Sequence, residues 1–424
     1  MSLNQKNKKL KVGVLGLTRG ADFFKTFEAN PLTEVVAVCE FNKERIEEFS
    51  NWKKDATVYS DYDKFLEHDL DMVAVIGYLN EHAPQAIKAL ESGRHVLSEV
   101  TACKTLAEGV ALCRAVEKSG KVYMYAENYC YFTYIQEMER LYKKGVIGEY
   151  LYGDCEYIHK FSIEECGILT DSPDHWRSWL PATYYCTHAL GPVITITKTR
   201  PVKVSGFVVP NTISRNFGRK GDDASVLICT MDNSAVTRAI PWSHLTHKPY
   251  SLWYALYGTK GSMENNRFRP QQTLNITLDD DLDTNFERSY QPKFKIYHDK
   301  KLVEHGGSDF FVVKNFVDSI VNKTPSPIDV YTAMDMTLPG IIGYRSALEG
   351  NISLEVPDFR KEDVRKKYEN DVWSPDPADK NIPGQPLSSI LGDIEIPESI
   401  YKDVEKRRIE EKIAPEEARK LYDE

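Results

Sequence analysis

Long apolar runs are absent from this sequence, and none approaches the roughly 18 residues that a transmembrane helix requires. The first ten residues, MSLNQKNKKL, carry positive charge but lack the apolar segment of a secretory signal peptide. We therefore expect a cytoplasmic protein with no membrane partner.

Closely spaced cysteine pairs are also lacking, although the chain contains eight cysteines. No two have CxxC spacing, and the histidines show neither HxxxH nor mixed Cys/His ligand spacing. Cys39, Cys113, Cys155 and Cys229 lie within apolar strand or helix patterns. The sequence therefore predicts buried thiols in a reducing compartment and no bound metal.

Basic charge is not concentrated anywhere along the chain. The 54 basic residues are scattered among 63 acidic ones, so the stripe typical of nucleic-acid binding is missing. We expect no nucleic-acid partner and instead a small, uncharged or weakly polar substrate. With 424 residues, of which 42% are apolar, the chain is long enough for two domains with sizeable cores.

Residues 10–124 alternate short apolar runs with amphipathic stretches. The runs KVGVLGL, EVVAVCE, MVAVIGY, HVLSEV and KVYMYA are each followed by a helical pattern. Helices expected over residues 83–92 and 106–119 are followed by Gly93 and Gly120, where C-terminal caps belong. This alternation predicts an α/β domain over residues 8–128, with the doubly wound parallel sheet of a Rossmann fold.

The sequence pattern changes after a helix expected over residues 134–144, at the turn GVIGEY. The strand-like runs YLYGDCEYIH, VKVSGFVV, DASVLICT and SLWYALYG follow with few helices between them, which predicts an α+β domain with an open, mostly antiparallel sheet over residues 129–356. Helical patterns over 309–321 and 331–348 are expected to cover one sheet face or return to the first domain. The charged, Pro-rich extension 357–424 ends in a helix-like stretch, and is either a wrapping or subunit-contact element or a loosely ordered tail.

The first strand runs into a glycine loop typical of dinucleotide sites. This loop, Gly16-Leu17-Thr18-Arg19-Gly20-Ala21, matches GxGxxG/A at its first and last glycines but has Thr18 at the middle one. Glu40 follows Gly16 by 24 residues, at the end of the second strand, where a carboxylate accepts hydrogen bonds from ribose hydroxyls and repels a 2′-phosphate. The pattern predicts NAD as cofactor. The alternatives are a purely structural turn and a solvated charge at the strand end.

Two further strings, HAPQAIKALESGRHVLSE and LYKKGVIGEY, resemble the glucose-fructose oxidoreductase, inositol dehydrogenase and MocA (Gfo/Idh/MocA) family over roughly residues 10–356. That resemblance implies a Rossmann domain joined to an open-sheet domain whose face forms the substrate pocket and often a subunit contact. Typical members carry Glu-Lys-Pro after the fifth strand, where the lysine assists proton transfer. This chain reads Glu99-Val100-Thr101 instead, and Val100 cannot relay a proton.

These departures resemble one branch of that family, the NAD-dependent α-N-acetylgalactosaminidases among the glycoside hydrolases. The string Glu127-Asn128-Tyr129-Cys130-Tyr131 resembles the branch's Glu-Asn-Cys-Cys-Tyr, and Tyr157-Ile158-His159 its Tyr-Ile-His. Tyr185-Cys186-Thr187-His188-Ala189-Leu190-Gly191-Pro192 resembles Tyr-Pro-Thr-His-Gly-Leu-Gly-Pro. Tyr184 replaces the aspartate that usually precedes the histidine in dehydrogenases of the wider family, and Trp176-Arg177 and Pro249-Tyr250 also have counterparts in the branch.

The resemblance implies roles for these residues. Tyr157, Tyr185 and His188 are expected to line the substrate side as acid/base groups or hydroxyl ligands, with His159 and Glu127 as orienting groups near the nicotinamide. His159 is included among the catalytic candidates, whereas His175 and His244 match no string and are expected to be structural. The residues expected to contact the cofactor are Gly16, Leu17, Thr18, Arg19, Glu40, Glu99, Val100, Glu127, Asn128, Trp176 and Arg177.

The implied substrate is a carbohydrate, and three kinds of function remain open. Transient oxidation of the sugar at C3 acidifies the C2–H, so that elimination expels the C1 substituent before water adds and the hydride returns. This route does not use the carboxylate pair of most glycosidases. The alternatives are a conventional sugar or cyclitol dehydrogenase that releases NADH, and a non-catalytic NAD-binding protein. The open sheet and the long extension favour a homodimer or homotetramer.

Overall fold

The computed structural model describes residues 9–52, 55–160, 174–247, 249–281, 288–293 and 307–413. Residue 8, where we placed the start of the first domain, Cys166 and residues 414–424 of the expected tail helix lie outside this part of the chain. In the part described, no helix combines the length and apolarity needed to cross a membrane. All seven cysteines described there are free and buried, which confirms the prediction of buried thiols.

The first domain contains a parallel sheet with the strand order β3-β2-β1-β4-β5-β6, which confirms the doubly wound fold. Its strands are β1 (Leu10–Leu15), β2 (Thr33–Cys39), β3 (Thr57–Tyr59), β4 (Met72–Val75), β5 (His95–Ser98) and β6 (Tyr123–Tyr125). Its helices are Gly20–Ala29, Lys43–Trp52, Tyr62–Leu66, His82–Glu91 and Leu106–Ser119. The sequence did not predict β3, because its three residues are partly exposed and form no apolar run.

The central strands are apolar because helices cover both faces of the sheet. All four residues of β4 are buried, as are the last four of β1. The helix Leu106–Ser119 begins where Thr105 accepts a hydrogen bond from the Glu108 amide, and it ends at Gly120, whose φ is 61°. The predicted bounds of this helix are therefore confirmed.

Strand order places a crevice at the carboxyl ends of β1 and β4. Strands β2 and β3 lie on one side of β1, whereas β4, β5 and β6 lie on the other, so the strand order reverses direction between β1 and β4. Ligands of open α/β sheets bind at such a switch point. The glycine loop after β1, Glu40 after β2 and the turn after β4 all lie at this edge. The first domain therefore presents two of the expected cofactor elements, the glycine loop and Glu40, at one edge.

The second domain contains a mixed sheet with the order β14-β13-β12-β11-β7-β10-β9-β8-β15, in which only the pair β7 and β10 is parallel among the described strands. This confirms a mostly antiparallel sheet. The strands are β7 (Tyr150–Ile158), β8 (Pro201–Val209), β9 (Ala224–Met231), β10 (Val236–Ser243), β11 (Ser251–Gly258), β12 (Gly261–Asn265), β13 (Leu274–Leu278), β14 (Arg288–Tyr290) and β15 (Leu354–Glu355).

Helices pack on one face of this second sheet. Thr187–Thr197 contacts β7 and β10, and Val330–Leu348 contacts β8 and β9 while also touching Leu106–Ser119 and β6 of the first domain. The helix Val330–Leu348 thus joins the two sheets, as the sequence suggested. The remaining helices are Thr133–Lys143, Trp176–Trp179, Ser308–Asn322, Glu362–Tyr368 and Glu398–Ile413.

Candidate active site

We call the edge at the carboxyl ends of β1, β2 and β4 the cofactor edge. At Gly16, which follows β1, the backbone comes very close to the residue that follows β4. Gly16 has a φ of +87°, and a Cβ there would lie 2.5 Å from the carbonyl oxygen of Ile76, which follows β4. Glycine is therefore needed for this turn. Thr18, at the position of the missing middle glycine, is exposed.

Glu40 is held by backbone amides at the end of β2. One carboxylate oxygen accepts from the Leu17 amide at 2.7 Å, and the other accepts from Phe41 at 2.8 Å and Asn42 at 2.9 Å. A carboxylate offers about four acceptor positions, so this arrangement fixes the group and leaves one for a ribose hydroxyl. The helix Gly20–Ala29 also begins without a side-chain cap, which leaves its amides for a pyrophosphate. These residues fit a dinucleotide without a 2′-phosphate.

Arg19 links the glycine loop to the second domain. Its guanidinium donates to both carboxylate oxygens of Asp309, at 2.8 and 2.6 Å, and it also pairs with Asp22 and with Glu99. Asp309 accepts from Asn128 at 3.3 Å as well. Asp309, which was not predicted from the sequence, thus joins the expected cofactor residues Arg19 and Asn128, and Arg19 in turn contacts Glu99.

His188 forms a buried pair with Glu127. The two side chains are joined by a 2.7 Å hydrogen bond between His188 Nδ1 and Glu127 Oε1, and Glu127 is fully buried. Glu127 Oε1 also accepts from the Tyr129 amide, whereas Oε2 has no hydrogen-bond partner among the described residues. The Tyr254 hydroxyl donates to the His188 carbonyl at 2.6 Å. Because Nδ1 is engaged, Nε2 is the ring nitrogen left for a substrate.

Three tyrosine rings surround the His188 imidazole. Tyr129 stacks on it in parallel at 4.1 Å, whereas Tyr157 and Tyr185 approach edge-on at 4.8 and 5.0 Å. The structure therefore places the three predicted substrate-side residues in one cluster. Tyr129 completes this cluster but was quoted only as part of a string, because the related branch has a small cysteine there.

Burial governs the acidity of the two predicted tyrosines. The pKa of Tyr157 is raised well above its usual value, first by burial and then by the neighbouring Tyr129. Burial likewise raises the pKa of Tyr185, although the charge of Arg177 opposes the change. Both phenols therefore keep their protons at neutral pH, which makes them hydrogen-bond or proton donors.

An aromatic wall extends from Tyr185 in two directions. On one side Trp176 lies 5.9 Å from Tyr185 and carries the Arg177 guanidinium 4.0 Å from its ring centre. On the other side Trp242 lies 6.2 Å from Tyr185 and packs against His244. Trp242 was not predicted from the sequence, because it stands in no matching string and lies near the end of an ordinary strand.

His159 lies farther out, between Tyr157 and Tyr250. Its ring stacks on the half-exposed Tyr250 at 3.9 Å and is 5.5 Å from Tyr157. Its backbone carbonyl accepts from the Trp242 indole at 3.1 Å. The structure thus places His159 beside the cluster and not in contact with His188.

The two histidines expected to be structural are buried. His175 caps the helix Trp176–Trp179 by accepting from the Arg177 amide, and burial, followed by the charges of Arg177 and Arg219, lowers its pKa to about 2. Burial also lowers the pKa of His244, whose Nε2 accepts from Arg219 at 3.3 Å. Both are therefore neutral at physiological pH. In the described part of the chain, no group of three or more His, Cys, Asp or Glu residues is placed to hold a metal ion.

Two family models match this chain. Residues 10–127 match the oxidoreductase family with an NAD-binding Rossmann fold, Gfo/Idh/MocA, and residues 210–366 match the C-terminal domain of glycosyl hydrolase 109. The first match covers the glycine loop, Glu40 and Glu99, and the second covers Trp242 and Tyr250. The first domain is thus an NAD-binding domain of this kind.

Curated relatives extend over most of the chain. A glycosyl hydrolase family 109 protein 4 from Phocaeicola vulgatus is 26% identical, covering 87% of this chain and 81% of its own. An alpha-N-acetylgalactosaminidase from Tannerella forsythia is 24% identical, covering 77% and 81%. Among solved structures, a levoglucosan dehydrogenase in complex with NADH and levoglucosan has a TM-score of 0.71 at 19% identity and covers 82% of this chain and 100% of its own. The structural likeness supports the two-domain fold.

Proposed function

We propose that this chain is an NAD-dependent enzyme that cleaves a glycoside without net oxidation, since residues 10–127 match the Gfo/Idh/MocA oxidoreductase model and residues 210–366 match the C-terminal domain of glycosyl hydrolase 109. The observation that carries the proposal is the buried Glu127–His188 pair, enclosed by tyrosines beside the cofactor residues. Val100, at the position of the usual lysine, is buried and has no titratable group. We therefore infer that the base comes from the tyrosine and histidine cluster, most of which belongs to the second domain.

His188 is the proposed base for the sugar hydroxyl. Glu127 holds Nδ1, fixes the ring and stabilises the imidazolium that forms when Nε2 takes a proton, as a buried carboxylate does in other His-carboxylate pairs. Tyr157 and Tyr185 are the proposed donors, since their raised pKa values keep them protonated. This division assigns proton removal to the histidine and proton donation to the phenols.

NAD, held by the glycine loop at Gly16 and by Glu40, would supply a reversible hydride acceptor at the sugar C3. The C3 hydroxyl loses its proton to His188 as the carbon becomes a ketone, which acidifies the C2–H. Loss of the C2 proton then breaks the C1–O bond, and the proton gained by the departing oxygen balances the one lost from C2. Water adds to the resulting double bond, and reduction at C3 restores the sugar, so the net reaction is hydrolysis.

The sharpest test is isotope exchange at C2. The protein with its bound NAD is incubated with α- and β-linked aryl N-acetylgalactosaminides in deuterated water, and the released sugar is analysed by NMR. We expect aryl alcohol release with deuterium at C2 and no accumulation of the reduced-nicotinamide absorbance. Since His188→Gln removes the base, it is expected to abolish release, whereas His68→Gln, which alters a histidine bound to Tyr59 in the first domain, retains it.

Other outcomes identify the alternatives. Stoichiometric NADH with a free sugar or cyclitol indicates a conventional dehydrogenase. Release without deuterium at C2 indicates direct hydrolysis, and NAD binding without turnover of any of these compounds indicates a non-catalytic protein. Each of these results contradicts the proposed redox-neutral cleavage.

A further inference from the structure

A segment of the C-terminal extension crosses both domains. We call residues 371–404 the C-terminal strap; it lies beyond the part of the chain matched by the family models. It starts at Asp371, whose carbonyl accepts from the Ala107 amide and whose carboxylate pairs with both terminal nitrogens of Arg345. Farther along, the Leu387 carbonyl accepts from the Tyr344 hydroxyl at 2.6 Å. The strap is thus fixed along its length.

The first anchor of the strap is Asp376, which is bound to the cofactor edge of the first domain. Its carboxylate accepts from Lys104 at 2.9 Å and from the Asn80 amide group at 3.1 Å, and it is only 4% exposed. Asn80 belongs to the short turn that follows β4 at the switch point. The residue two positions earlier, Tyr78, packs edge-on against His175 at 4.9 Å. Asp376 therefore holds the turn that contacts one end of the aromatic wall.

The second anchor is formed by Ser389 and the next amide, which bind Asp222 in the second domain. The Ser389 hydroxyl donates to Asp222 at 2.6 Å and the Ile390 amide donates at 3.2 Å. Asp222 is also 4% exposed, and its other contact is the Asn211 amide at the start of the same loop. A Cβ at Gly218 in this loop would lie 3.1 Å from the Tyr401 ring, so the helix at the end of the strap packs closely on it.

The loop held by this second anchor supports the other end of the aromatic wall. Arg219 follows Gly218, is 2% exposed, and lies with its guanidinium 4.5 Å from the centre of the Trp242 ring. Trp242 in turn packs against Tyr185 at 6.2 Å. The other route reaches the same tyrosine, since His175 stacks near Trp176 at 5.5 Å and Trp176 near Tyr185 at 5.9 Å.

We propose that the C-terminal strap is a positioning element of the active site. Through Asp376 it fixes the turn after β4, and through Ser389 it fixes the Trp242 side of the aromatic wall. The second half of this inference rests on the proposed role of Tyr185 in glycoside cleavage, whereas the first half requires only NAD binding. Both anchor carboxylates are buried, so their donors cannot be replaced by bulk water without moving the strap.

Asp379 provides a control for Asp376, because both carboxylates pair with Lys104. Asp379 pairs with Lys104 at 2.8 Å, whereas the Asn80 amide group donates to Asp376. Both Asp376→Ala and Asp379→Ala therefore remove an ion pair with Lys104, but only the first also removes the acceptor that holds the turn. NAD affinity is measured on the full chain by titration calorimetry. We expect roughly tenfold weaker NAD binding for Asp376→Ala and less than twofold for Asp379→Ala.

Ser389 is compared with its buried neighbour Ser388. Ser389→Ala is expected to lower kcat/KM for the aryl glycoside roughly tenfold while NAD affinity stays unchanged, whereas Ser388→Ala leaves both unchanged. Tryptophan emission provides a second readout, because a shifted Trp242 changes its surroundings in Ser389→Ala but not in Ser388→Ala.

Two results overturn the proposal. One is equal NAD affinity in Asp376→Ala and Asp379→Ala together with wild-type emission and turnover in Ser389→Ala. The other is a loss of binding and turnover in each variant that simply follows the fall in its unfolding temperature, which indicates a purely structural strap. If the wild-type protein cleaves no glycoside, the proposed function fails, but the NAD comparison still decides the role of Asp376.

Discussion

Glu127 is an unusual carboxylate, because one of its oxygens is buried without a hydrogen-bond partner among the described residues. A buried polar atom without a hydrogen-bond partner costs stability, and each such atom in a native structure calls for an explanation. The partner of its other oxygen is His188 Nδ1. At the scale of single residues, we therefore expect this carboxylate to serve the proposed reaction and not the stability of the fold.

The variant Glu127→Gln separates the effect of this carboxylate on activity from its effect on stability. The amide keeps the size of the side chain but removes the carboxylate that the proposed mechanism needs beside His188, so we expect kcat to fall by about 10²–10⁴-fold. The unfolding temperature is expected to stay the same or rise, since glutamine keeps an oxygen for the His188 and Tyr129 hydrogen bonds and replaces the unpartnered Oε2. Steady-state kinetics with thermal unfolding checks both. Full activity, or a large loss of stability, contradicts the assignment.

The buried His175 makes the free energy of unfolding depend on pH. The pKa of His175 is about 2 in the folded state, far below its value of about 6.5 in the unfolded state. Above about pH 6.5 the imidazole is neutral in both states. Below about pH 6.5 the unfolded state takes up a proton that the folded state does not bind. Folding stability is therefore lost as the pH falls from about 6.5 toward 2.

His175→Asn removes this proton while keeping a side chain that can cap the helix Trp176–Trp179. Between pH 7 and pH 5 the variant is expected to lose about 2 kcal/mol less unfolding free energy than the wild type. Urea unfolding at both pH values measures the difference. The same pH dependence in both proteins contradicts a neutral buried His175.

The turn between β1 and the helix Gly20–Ala29 shows how one element fixes the cofactor edge. Gly16 must adopt a positive φ and must also approach Ile76, whereas Gly93 has a similar φ of +85° with nothing within 4 Å of its missing Cβ. The two positions share the backbone strain but differ in the steric clash. They form a natural pair for measuring each contribution.

Gly16→Ala and Gly93→Ala test this difference. Gly93→Ala is expected to lower the free energy of unfolding by about 1 kcal/mol, because alanine is disfavoured at positive φ. Gly16→Ala is expected to cost at least about 2 kcal/mol and to weaken NAD binding, since β1 and β4 must also separate. Equal losses in the two variants would show that the approach of the strands is unimportant.

Elements with a strong local pattern were predicted well. The helix Leu106–Ser119 and the strand Ser251–Gly258 have the predicted bounds, and His82–Glu91 differs from its prediction by one residue at each end. The short strand Thr57–Tyr59 was missed because it lies at the sheet edge and is paired only with β2. Its formation depends on a neighbour, which a local pattern does not encode.

At the scale of the whole molecule, one face of the second sheet carries exposed side chains, and the helices of the described residues that contact this sheet pack on its other face. The register aligns Tyr257, Tyr152 and Val236 across β11, β7 and β10, and these side chains are exposed. Phe207 on β8 is 45% exposed. A face of this kind, broad and rich in aromatic side chains, is typical of subunit contacts.

A homodimer or homotetramer through this face stays a prediction. Glutamates introduced together at Phe207 and Tyr257 are expected to give monomers, because they place charges at the centre of an apolar contact. Phe268→Glu is the control, since Phe268 is exposed but lies outside the strands. Sedimentation velocity measures the state of each. A monomeric wild type, or dissociation by the control alone, contradicts the prediction.

The sequence by itself determined the alternating elements of the first domain, the preference for NAD and the strings that carry the tyrosines and histidines, because these depend on neighbours within one element or one turn. Only the tertiary structure decided which side chains meet. Glu127 reaches His188 across 61 residues, Arg19 reaches Asp309 across 290, and Asn80 reaches Asp376 across 296. Such pairs form when separate elements pack, and no local periodicity records that packing.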